Sequence, residues 1–192
     1  RLREALELPE ANHFHMAAPL NLKDFFSLVF LPGFDHLRAA APKPKPAEDL
    51  ADSENLWDTL KDKDVLLHHP YESYAPVVRM VEEAAEDPAT IAIKMTLYRT
   101  SGDSPIVSAL IRAAERGIQV TVLVELKARF DEGANISWAA RLEKAGAIVI
   151  HGLVVLKVHA KALMVVRRED DGIHRYVHLG TGNYNDSTAK LY

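Results

Sequence analysis

Cysteine is absent from this chain of 192 residues. Its absence excludes disulfides, thiolate metal sites and a cysteine nucleophile, and is expected of proteins in a reducing compartment. No apolar run reaches the roughly 18 residues that suggest a membrane span, and the N-terminus lacks the layout of a signal peptide. We therefore expect a cytoplasmic protein whose contact with membranes, if any, is made as part of a complex.

Charge is unevenly distributed along the chain. Residues 1–93 hold 9 Lys and Arg against 17 Asp and Glu, whereas residues 94–168 hold 12 against 6. The basic second stretch favours an anionic ligand, although scattered solvated lysines and arginines would produce the same balance.

Prolines at alternate positions mark a boundary. The segment AAAPKPKPAEDL, residues 39–50, is typical of an extended polyproline-like linker, and residues 1–38 before it have helical patterns. We therefore predict that 1–50 is a helical remnant of a preceding domain plus a linker, and that 51–192 forms a separate domain.

Strand and helix patterns alternate after the linker, and β-branched runs such as IQVTVLVEL are typical of buried parallel strands. Strand–helix–strand connections are right-handed and make parallel neighbours, whereas the segment EDDG predicts a hairpin between the last two strands. The predicted class is α/β, with a mixed, mostly parallel sheet flanked by helices. The predicted strands are 64–69, 90–99, 118–126, 147–152, 158–168 and 174–180, and the predicted helices are about 74–86, 104–117 and 136–146.

A histidine and a lysine stand two residues apart in the apolar segment LKVHAKALMVV. Side chains at i and i+2 of a strand share a face, so His159 and Lys161 project together. We expect Val158, Ala160 and Ala162 to be buried on the opposite face. A neutral imidazole is a nucleophile at physiological pH and a neighbouring ammonium neutralises phosphoryl oxygens, so the pair suits attack on phosphorus. A strand-edge histidine beside a snorkelling lysine is the alternative.

A glycine-rich turn, GTGN, follows the last strand pattern. Glycines let the backbone approach a ligand closely, and Asn183 can orient an imidazole or donate to an oxyanion. The turn is not a dinucleotide fingerprint, because Asn185 stands where the third glycine is required. A purely structural turn is the alternative.

Two arginines of the basic stretch lie at predicted strand ends: Arg99 closes one strand, and Arg129 follows another. Ligands of open α/β sheets bind beyond the carboxyl ends of the strands, and guanidinium groups bind phosphate oxygens through paired hydrogen bonds. Two arginines there suit a polyanion, with surface ion pairs as the alternative. The adjacent His68 and His69 do not predict a metal site, because neighbours on a strand point to opposite faces.

His-x-Lys, followed about 20 residues later by Gly-Thr-Gly-Asn, resembles one half of a phospholipase-D-like active site. Six ordered motifs between about Asp64 and Tyr192 are similar to those of polyphosphate kinases of the phosphohistidine type, and PLNLKDFFSL resembles the end of the module before them. The motifs are LLHHPYESY, IKMTLYRTSGDSPIVSALIRAAERG, VTVLVELKARFDE, LKVHAKALMVVRRE, HLGTGNYN and TAKLY. The resemblance implies a fragment that contains the first catalytic C-terminal domain, a phospholipase-D-like half-domain over 51–192.

The resemblance implies ATP-dependent, reversible extension of inorganic polyphosphate through a phosphorylated histidine. His159 matches the nucleophile, and Lys161 would pair with phosphoryl oxygens. Arg99 and Arg129 match residues of the magnesium–phosphate site. Because arginine is a cation, we expect its contact with Mg²⁺ to run through phosphate or water.

The resemblance also implies the partners. Tyr192 matches a tyrosine that contacts the nucleotide, and Asn183 is a further candidate for binding ATP. The expected ligands are ATP or ADP and inorganic polyphosphate, with no nucleic acid. The family's site needs a second half from the remaining domains, and the full-length enzyme is expected to be a homo-oligomer. We therefore expect the isolated chain to be inactive or nearly so.

Two other functions stay open at this level. A phospholipase-D-like phosphodiesterase or nuclease would complete its site by pairing two copies of His159 in a homodimer. The phospholipase-D pattern has an acidic residue near position 166, where this chain has Val166. The other alternative is a non-catalytic module that binds polyanions.

Overall fold

The computed structural model describes residues 2–12, 14–15, 17, 21–39, 43–51, 53, 55–98, 104–125, 132–152 and 158–190. The chain divides into two compact units, Arg1–Pro42 and Lys43–Tyr192. The domain boundary that the sequence places at residue 50 stays a prediction. No helix of the described residues is long and apolar enough to cross a membrane.

The first unit consists of short helical turns. They are α1 (Leu2–Ala5), α2 (Phe26–Val29) and 3-10 turns at Glu10–Asn12, Leu22–Phe25 and Asp35–Leu37. The large apolar side chains whose exposure the structure describes in this unit are exposed, among them Phe14 and Phe26. The predicted helical segment is therefore present as a series of turns rather than as long helices.

Among the residues described, the second unit is built from five strands, five α-helices and a 3-10 turn at Thr188–Lys190. The helices are α3 (Glu48–Ala51), α4 (Leu56–Asp62), α5 (Ala75–Glu86), α6 (Pro105–Glu115) and α7 (Glu132–Lys144). The strands are β1 (Thr90–Leu97), β2 (Gln119–Val124), β3 (Ile148–His151), β4 (Lys161–Glu169) and β5 (Gly172–Gly180).

The sheet has the strand order β3-β2-β1-β4-β5. Strands β1, β2 and β3 are parallel, whereas β4 is antiparallel to both β1 and β5. Four strands therefore run in one direction and β4 alone runs in the other. The predicted mixed, mostly parallel sheet and the predicted β4–β5 hairpin are both confirmed.

The reversed direction of β4 decides where its first residues lie. Lys161 pairs with Gly180 at the end of β5, and Leu163 pairs with Met95 near the end of β1. The beginning of β4 therefore lies where the other four strands end. We call this the carboxyl edge of the sheet, defined by Leu97, Val124, His151, Lys161 and Gly180.

Helices cover one face of the sheet among the described residues. The order β1-β2-β3 proceeds in one direction, so two right-handed crossovers place α6 and α7 on the same face, and α5 packs against α6. Strand side chains on that face form the core, whereas alternate residues of the opposite face are exposed. The buried ones include Ile93, Leu97, Val122, Val124, Leu163 and Val165, and the exposed ones include Ile148, Ile150, Val177 and Leu179.

Helix α6 illustrates how local sequence signals set element boundaries. The Ser104 side chain caps the helix by accepting from the N–H of Val107 at 3.5 Å, and Pro105 occupies the first turn. Gly117 follows the helix with a φ of +86°, a conformation that glycine adopts without strain. The predicted helix over 104–117 is confirmed.

The strand predicted over 64–69 is wrong. Residues 63–68 form neither helix nor strand. The alternation that suggested a strand arises because Val65 and Leu67 pack against the core while Leu66 is 86% exposed. The N–H of His68 donates to the Glu72 carboxylate at 2.6 Å rather than to a strand neighbour.

Candidate active site

His159 and Lys161 both lie at the carboxyl edge, but His159 is outside β4, so their predicted common strand face stays a prediction. His159 is exposed and lies two residues before β4, whereas Lys161 is the first residue of β4 and only 6% exposed. The Lys161 ammonium donates to the carbonyl oxygen of His159 at 2.6 Å. The site therefore joins an accessible imidazole to a buried ammonium.

The predicted burial of the opposite face of this segment is wrong. Ala160 is exposed, and Val158 and Ala162 are only partly buried, whereas Leu163 and Val165 are fully buried. Leu163 and Val165 share the face of Lys161, because side chains alternate along a strand. The helices cover this face, so Lys161 lies at the edge of the hydrophobic core.

Tyr98 contacts both predicted catalytic side chains. Its ring centroid lies 5.2 Å from that of His159 with an interplanar angle of 79°, and the Lys161 ammonium lies 5.3 Å from the same centroid. An edge-to-face ring contact and a cation over an aromatic face both restrict orientation. Sequence reasoning missed Tyr98, although it immediately precedes Arg99 at the end of a strand.

Burial affects the charge of Lys161. Desolvation lowers the pKa of its ammonium, because the buried environment disfavours the charged form. The nearby His159 carbonyl and the Tyr98 ring offer electron-rich groups to the cation. A phosphoryl group that reached this ammonium would meet a positive charge poorly shielded by water.

Two further polar side chains, Thr96 and Glu125, contact the backbone around His159. The Thr96 hydroxyl donates to the Ala160 carbonyl at 2.7 Å, and Glu125 accepts from the Val158 N–H at 2.9 Å. Glu125 is 3% exposed and directly follows β2. Sequence reasoning missed both residues, although a carboxylate directly after a buried β-branched run is a detectable signal.

The glycine-rich turn lies next to Lys161. Gly180 pairs with Lys161, and a Cβ atom on Gly180 would lie 3.8 Å from the Lys161 Cβ and 3.3 Å from Cε1 of His178. Glycine therefore allows close packing at this point. Asn183 lies in the same turn, and its Oδ1 atom is buried without a hydrogen-bond partner among the described residues.

A cavity of about 300 Å³ adjoins this turn. Asn183, His178 and Tyr184 contribute to its lining together with residues of the 65–74 segment. Nδ1 of His178 is hydrogen-bonded to the Tyr184 hydroxyl at 2.9 Å, and Tyr184 is buried. Burial, with a smaller contribution from His69, lowers the pKa of His178 to about 4.

The family model described as polyphosphate kinase C-terminal domain 1 matches residues 55–192. The chain belongs to the polyphosphate kinase family. It is 53% identical over 193 residues to the polyphosphate kinase of Halalkalibacterium halodurans and 54% identical over 193 residues to that of Bacillus cereus. These matches cover 100% of this chain but 27% and 28% of the relatives, so the chain spans little more than a quarter of their length.

A solved polyphosphate kinase has the same fold. The crystal structure of the enzyme from Porphyromonas gingivalis matches with a TM-score of 0.73 and 34% sequence identity, over 97% of this chain and 30% of that one. The resemblance drawn from the six motifs is therefore confirmed at the level of the family. The carboxyl edge described above belongs to a polyphosphate kinase domain, and the family is one of enzymes.

Three of the predicted site residues, Arg99, Arg129 and Tyr192, lie outside the described residues. Their expected roles in this polyphosphate kinase domain stay predictions. Arg99 comes two residues after the end of β1 and Arg129 five residues after the end of β2. Their sequence positions thus follow the strands that end at the carboxyl edge.

The described residues do not group three metal-ligand side chains at the carboxyl edge. One such group lies instead at the β4–β5 hairpin. Its Glu169 is at the opposite end of β4 from Lys161, so the two are roughly 26 Å apart at a strand rise of about 3.3 Å per residue. Its Glu169 already accepts from the Tyr176 hydroxyl at 2.6 Å and pairs with Lys61 at 3.0 Å. The group consists of Glu169, Asp171 and His174. We assign no Mg²⁺ to it, because its carboxylate charge is already neutralised.

The buried His178 makes stability depend on acidity. Its pKa is 6.5 when unfolded and about 4 when folded, so folding disfavours protonation. Above pH 6.5 protonation of His178 does not affect stability. As the pH falls from 6.5 toward 4, protonation of this histidine in the unfolded chain lowers the free energy of unfolding by about 3 kcal/mol. The free energy of unfolding should therefore fall between pH 7 and pH 4. We expect this fall to be smaller in His178→Asn by about the same amount, and urea denaturation at the two pH values measures it.

The matched control is His151→Gln, which removes an exposed histidine from the end of β3. This variant should keep the acid sensitivity of the parent protein. An H178N protein that loses stability over the same pH range as steeply as the parent would show that another group is responsible.

Proposed function

We propose that this chain is the part of a polyphosphate kinase that carries the phosphorylated histidine. The complete protein would transfer the γ-phosphoryl group of ATP reversibly to inorganic polyphosphate. The observation that carries this proposal is the exposed imidazole of His159 beside the buried ammonium of Lys161 at the carboxyl edge. Membership of the family supports the substrates.

The reaction begins with attack by a ring nitrogen of His159 on the γ-phosphorus, in line with the leaving group. The N–P bond forms, the bond from the γ-phosphorus to the β,γ-bridging oxygen breaks, and ADP leaves with that electron pair. The imidazolium then loses its other ring proton to solvent. In the second step the ring takes a proton back from solvent and a terminal oxygen of polyphosphate attacks the phosphorus. The N–P bond breaks, and its electron pair returns to the ring nitrogen, which restores the neutral imidazole.

Lys161 supplies positive charge next to the nucleophile. An ammonium has three donors, and the hydrogen bond described for Lys161 uses one of them for the His159 carbonyl. The other donors would contact phosphoryl oxygens as the group passes to the imidazole. Because Lys161 is buried, its interaction with the developing charge is stronger than it would be in water.

The remaining predicted contacts extend this site. Arg99 and Arg129 would bind phosphate oxygens, Tyr192 would stack on the nucleotide base, and the Asn183 amide would contact ATP. Mg²⁺ would be held by the phosphate oxygens, with water between it and the arginines, and would offset phosphate charge.

The rest of the protein would complete the site. We propose that further domains contribute its second half, that the full-length enzyme is a homo-oligomer, and that the isolated chain has little or no activity.

An acid at position 166 would not serve His159 directly, because Val166 is on the opposite face of the sheet from Lys161 and five residues along β4. The phosphodiesterase alternative therefore gains no support from this position.

The function can be tested by labelling the complete natural protein that carries this chain with [γ-³²P]ATP. We expect a protein-bound label that acid releases and alkali does not, as is typical of phosphohistidine, in a peptide containing His159. Addition of ADP should return the label to ATP, and addition of polyphosphate should move it to the polymer.

A control reaction with [α-³²P]ATP should leave the protein unlabelled, because the nucleotide is not transferred. Polyphosphate synthesis without a label on His159, or hydrolysis of a simple phosphodiester at a comparable rate, would refute the proposal. Salt-sensitive retention of polyphosphate with no label at all would instead favour a binding module.

A further inference from the structure

His159 lies where regular strand pairing has ended. The described pairs between β1 and β4 end at Met95 and Leu163, and β4 itself begins at Lys161. The residues on either side of His159 therefore lack the ladder that holds the rest of β4. Backbone groups at such a position need other partners if the imidazole is to keep one location.

Side chains from the ends of β1 and β2 provide those partners. Glu125 accepts from the N–H of Val158, the residue before His159, at 2.9 Å. Thr96 donates its hydroxyl to the carbonyl of Ala160, the residue after His159, at 2.7 Å. The nucleophile is thus flanked by two hydrogen bonds that come from different strands.

We propose that Glu125 and Thr96 are positioning residues that fix the backbone on both sides of His159. This inference rests on the proposed function, in which His159 is the nucleophile. The hydrogen bonds described for both residues are made to the main chain, so each acts through the backbone. Correct placement matters because a displacement of about 1 Å can cost about 100-fold in rate.

Glu125 is well suited to hold a fixed position. A carboxylate with 3% exposure is costly to bury, and a charge-assisted hydrogen bond is about twice as strong as a neutral one. The backbone N–H of Glu125 donates to the Leu97 carbonyl at 3.1 Å, so the end of β2 is attached to the end of β1. The carboxylate therefore extends from a rigid part of the sheet.

Thr96 acts on both sides of Lys161. Its hydroxyl donates to the Ala160 carbonyl and also accepts from the Ala162 N–H at 3.0 Å. Its neighbours Met95 and Leu97 are buried, which limits movement of the strand. One hydroxyl therefore fixes the backbone that carries both the imidazole and the ammonium.

The test compares paired variants in the complete natural protein, using the single-turnover rate of histidine phosphorylation and the KM for ATP. Glu125→Ala and Thr96→Val remove the hydrogen bonds and should lower the rate about 10- to 100-fold while KM changes less than about twofold. Glu125→Gln and Thr96→Ser retain an acceptor or hydroxyl and should stay within about fivefold of the parent rate.

Thr90→Val is the matched control. Thr90 lies at the other end of β1, is buried, and has a hydroxyl without a hydrogen-bond partner among the described residues. Its replacement should leave the rate and KM unchanged. Because valine has the shape of threonine, T96V keeps the comparison possible if E125A fails to fold.

The outcomes separate this inference from the proposed function. If E125A and T96V are folded and react at the parent rate, the positioning role is refuted while a label on His159 still supports the function. If E125Q is as slow as E125A, hydrogen bonding to Val158 is not the role of Glu125. If His159→Gln is labelled like the parent, the proposed function fails whatever these variants do.

Discussion

His159→Gln should abolish transfer of phosphate from ATP to the protein, with a fall of at least about 10⁴-fold in the single-turnover rate. Glutamine occupies a comparable space, but its amide nitrogen is not a nucleophile. The substituted side chain is exposed two residues before β4 begins, so its replacement should not disturb the core. The measurement is the rate of ³²P incorporation from [γ-³²P]ATP under single-turnover conditions.

A second histidine at the same edge serves as the control for this prediction. His151 ends β3, is exposed, and pairs with Glu143 of α7 at 3.2 Å. His151→Gln should be labelled at the parent rate. Stoichiometric labelling of H159Q, or equal loss in the two variants, would contradict the assignment of His159 as the nucleophile.

Lys161→Met should remove most activity without reducing stability. Loss of a buried donor aimed at developing charge typically costs about 100- to 1,000-fold in rate, and we expect that range for phosphorylation of His159. Methionine has a similar length, and replacing a buried charge by an apolar group is often neutral or stabilising. The free energy of unfolding, measured by urea denaturation, should therefore be unchanged or higher.

Lys61 provides the corresponding control for charge removal. It is exposed on α4 and pairs with Glu169 and Asp171 at 3.0 and 3.2 Å, far from the carboxyl edge. Lys61→Met should keep the parent rate and change the free energy of unfolding little, because exposed ion pairs contribute little to stability. A K161M protein that remains active, or that is destabilised by more than about 2 kcal/mol, would show that Lys161 is a structural residue.

The combination of lost activity and retained stability would distinguish a catalytic lysine from a structural one. Burial lowers the pKa of Lys161, so the fold holds a charge in an environment that opposes it. Such a conflict between local environment and residue type is expected at functional sites rather than in the core. Glu125, the buried carboxylate at the same edge, presents the same conflict.

The sequence predicts the proximity of His159 and Lys161 because a strand repeats every two residues. It does not predict Thr96 or Glu125, because their hydrogen bonds join residues 64 and 33 positions apart. Contacts of that range depend on which strands are neighbours and in which register. The predicted roles of Arg99, Arg129 and Tyr192 were read from motifs, and they stay predictions.

By itself the sequence determined the family, the α/β class, the bounds of α6 through its proline and the glycine that follows it, and the β4–β5 hairpin. These features rest on local patterns and ordered motifs. Only the tertiary structure decided the direction of β4 relative to β1, the face of β4 that is buried, and the absence of a strand at 63–68. An alternating pattern reads the same in either direction and for either face, so neighbouring strands and covering helices had to settle these points.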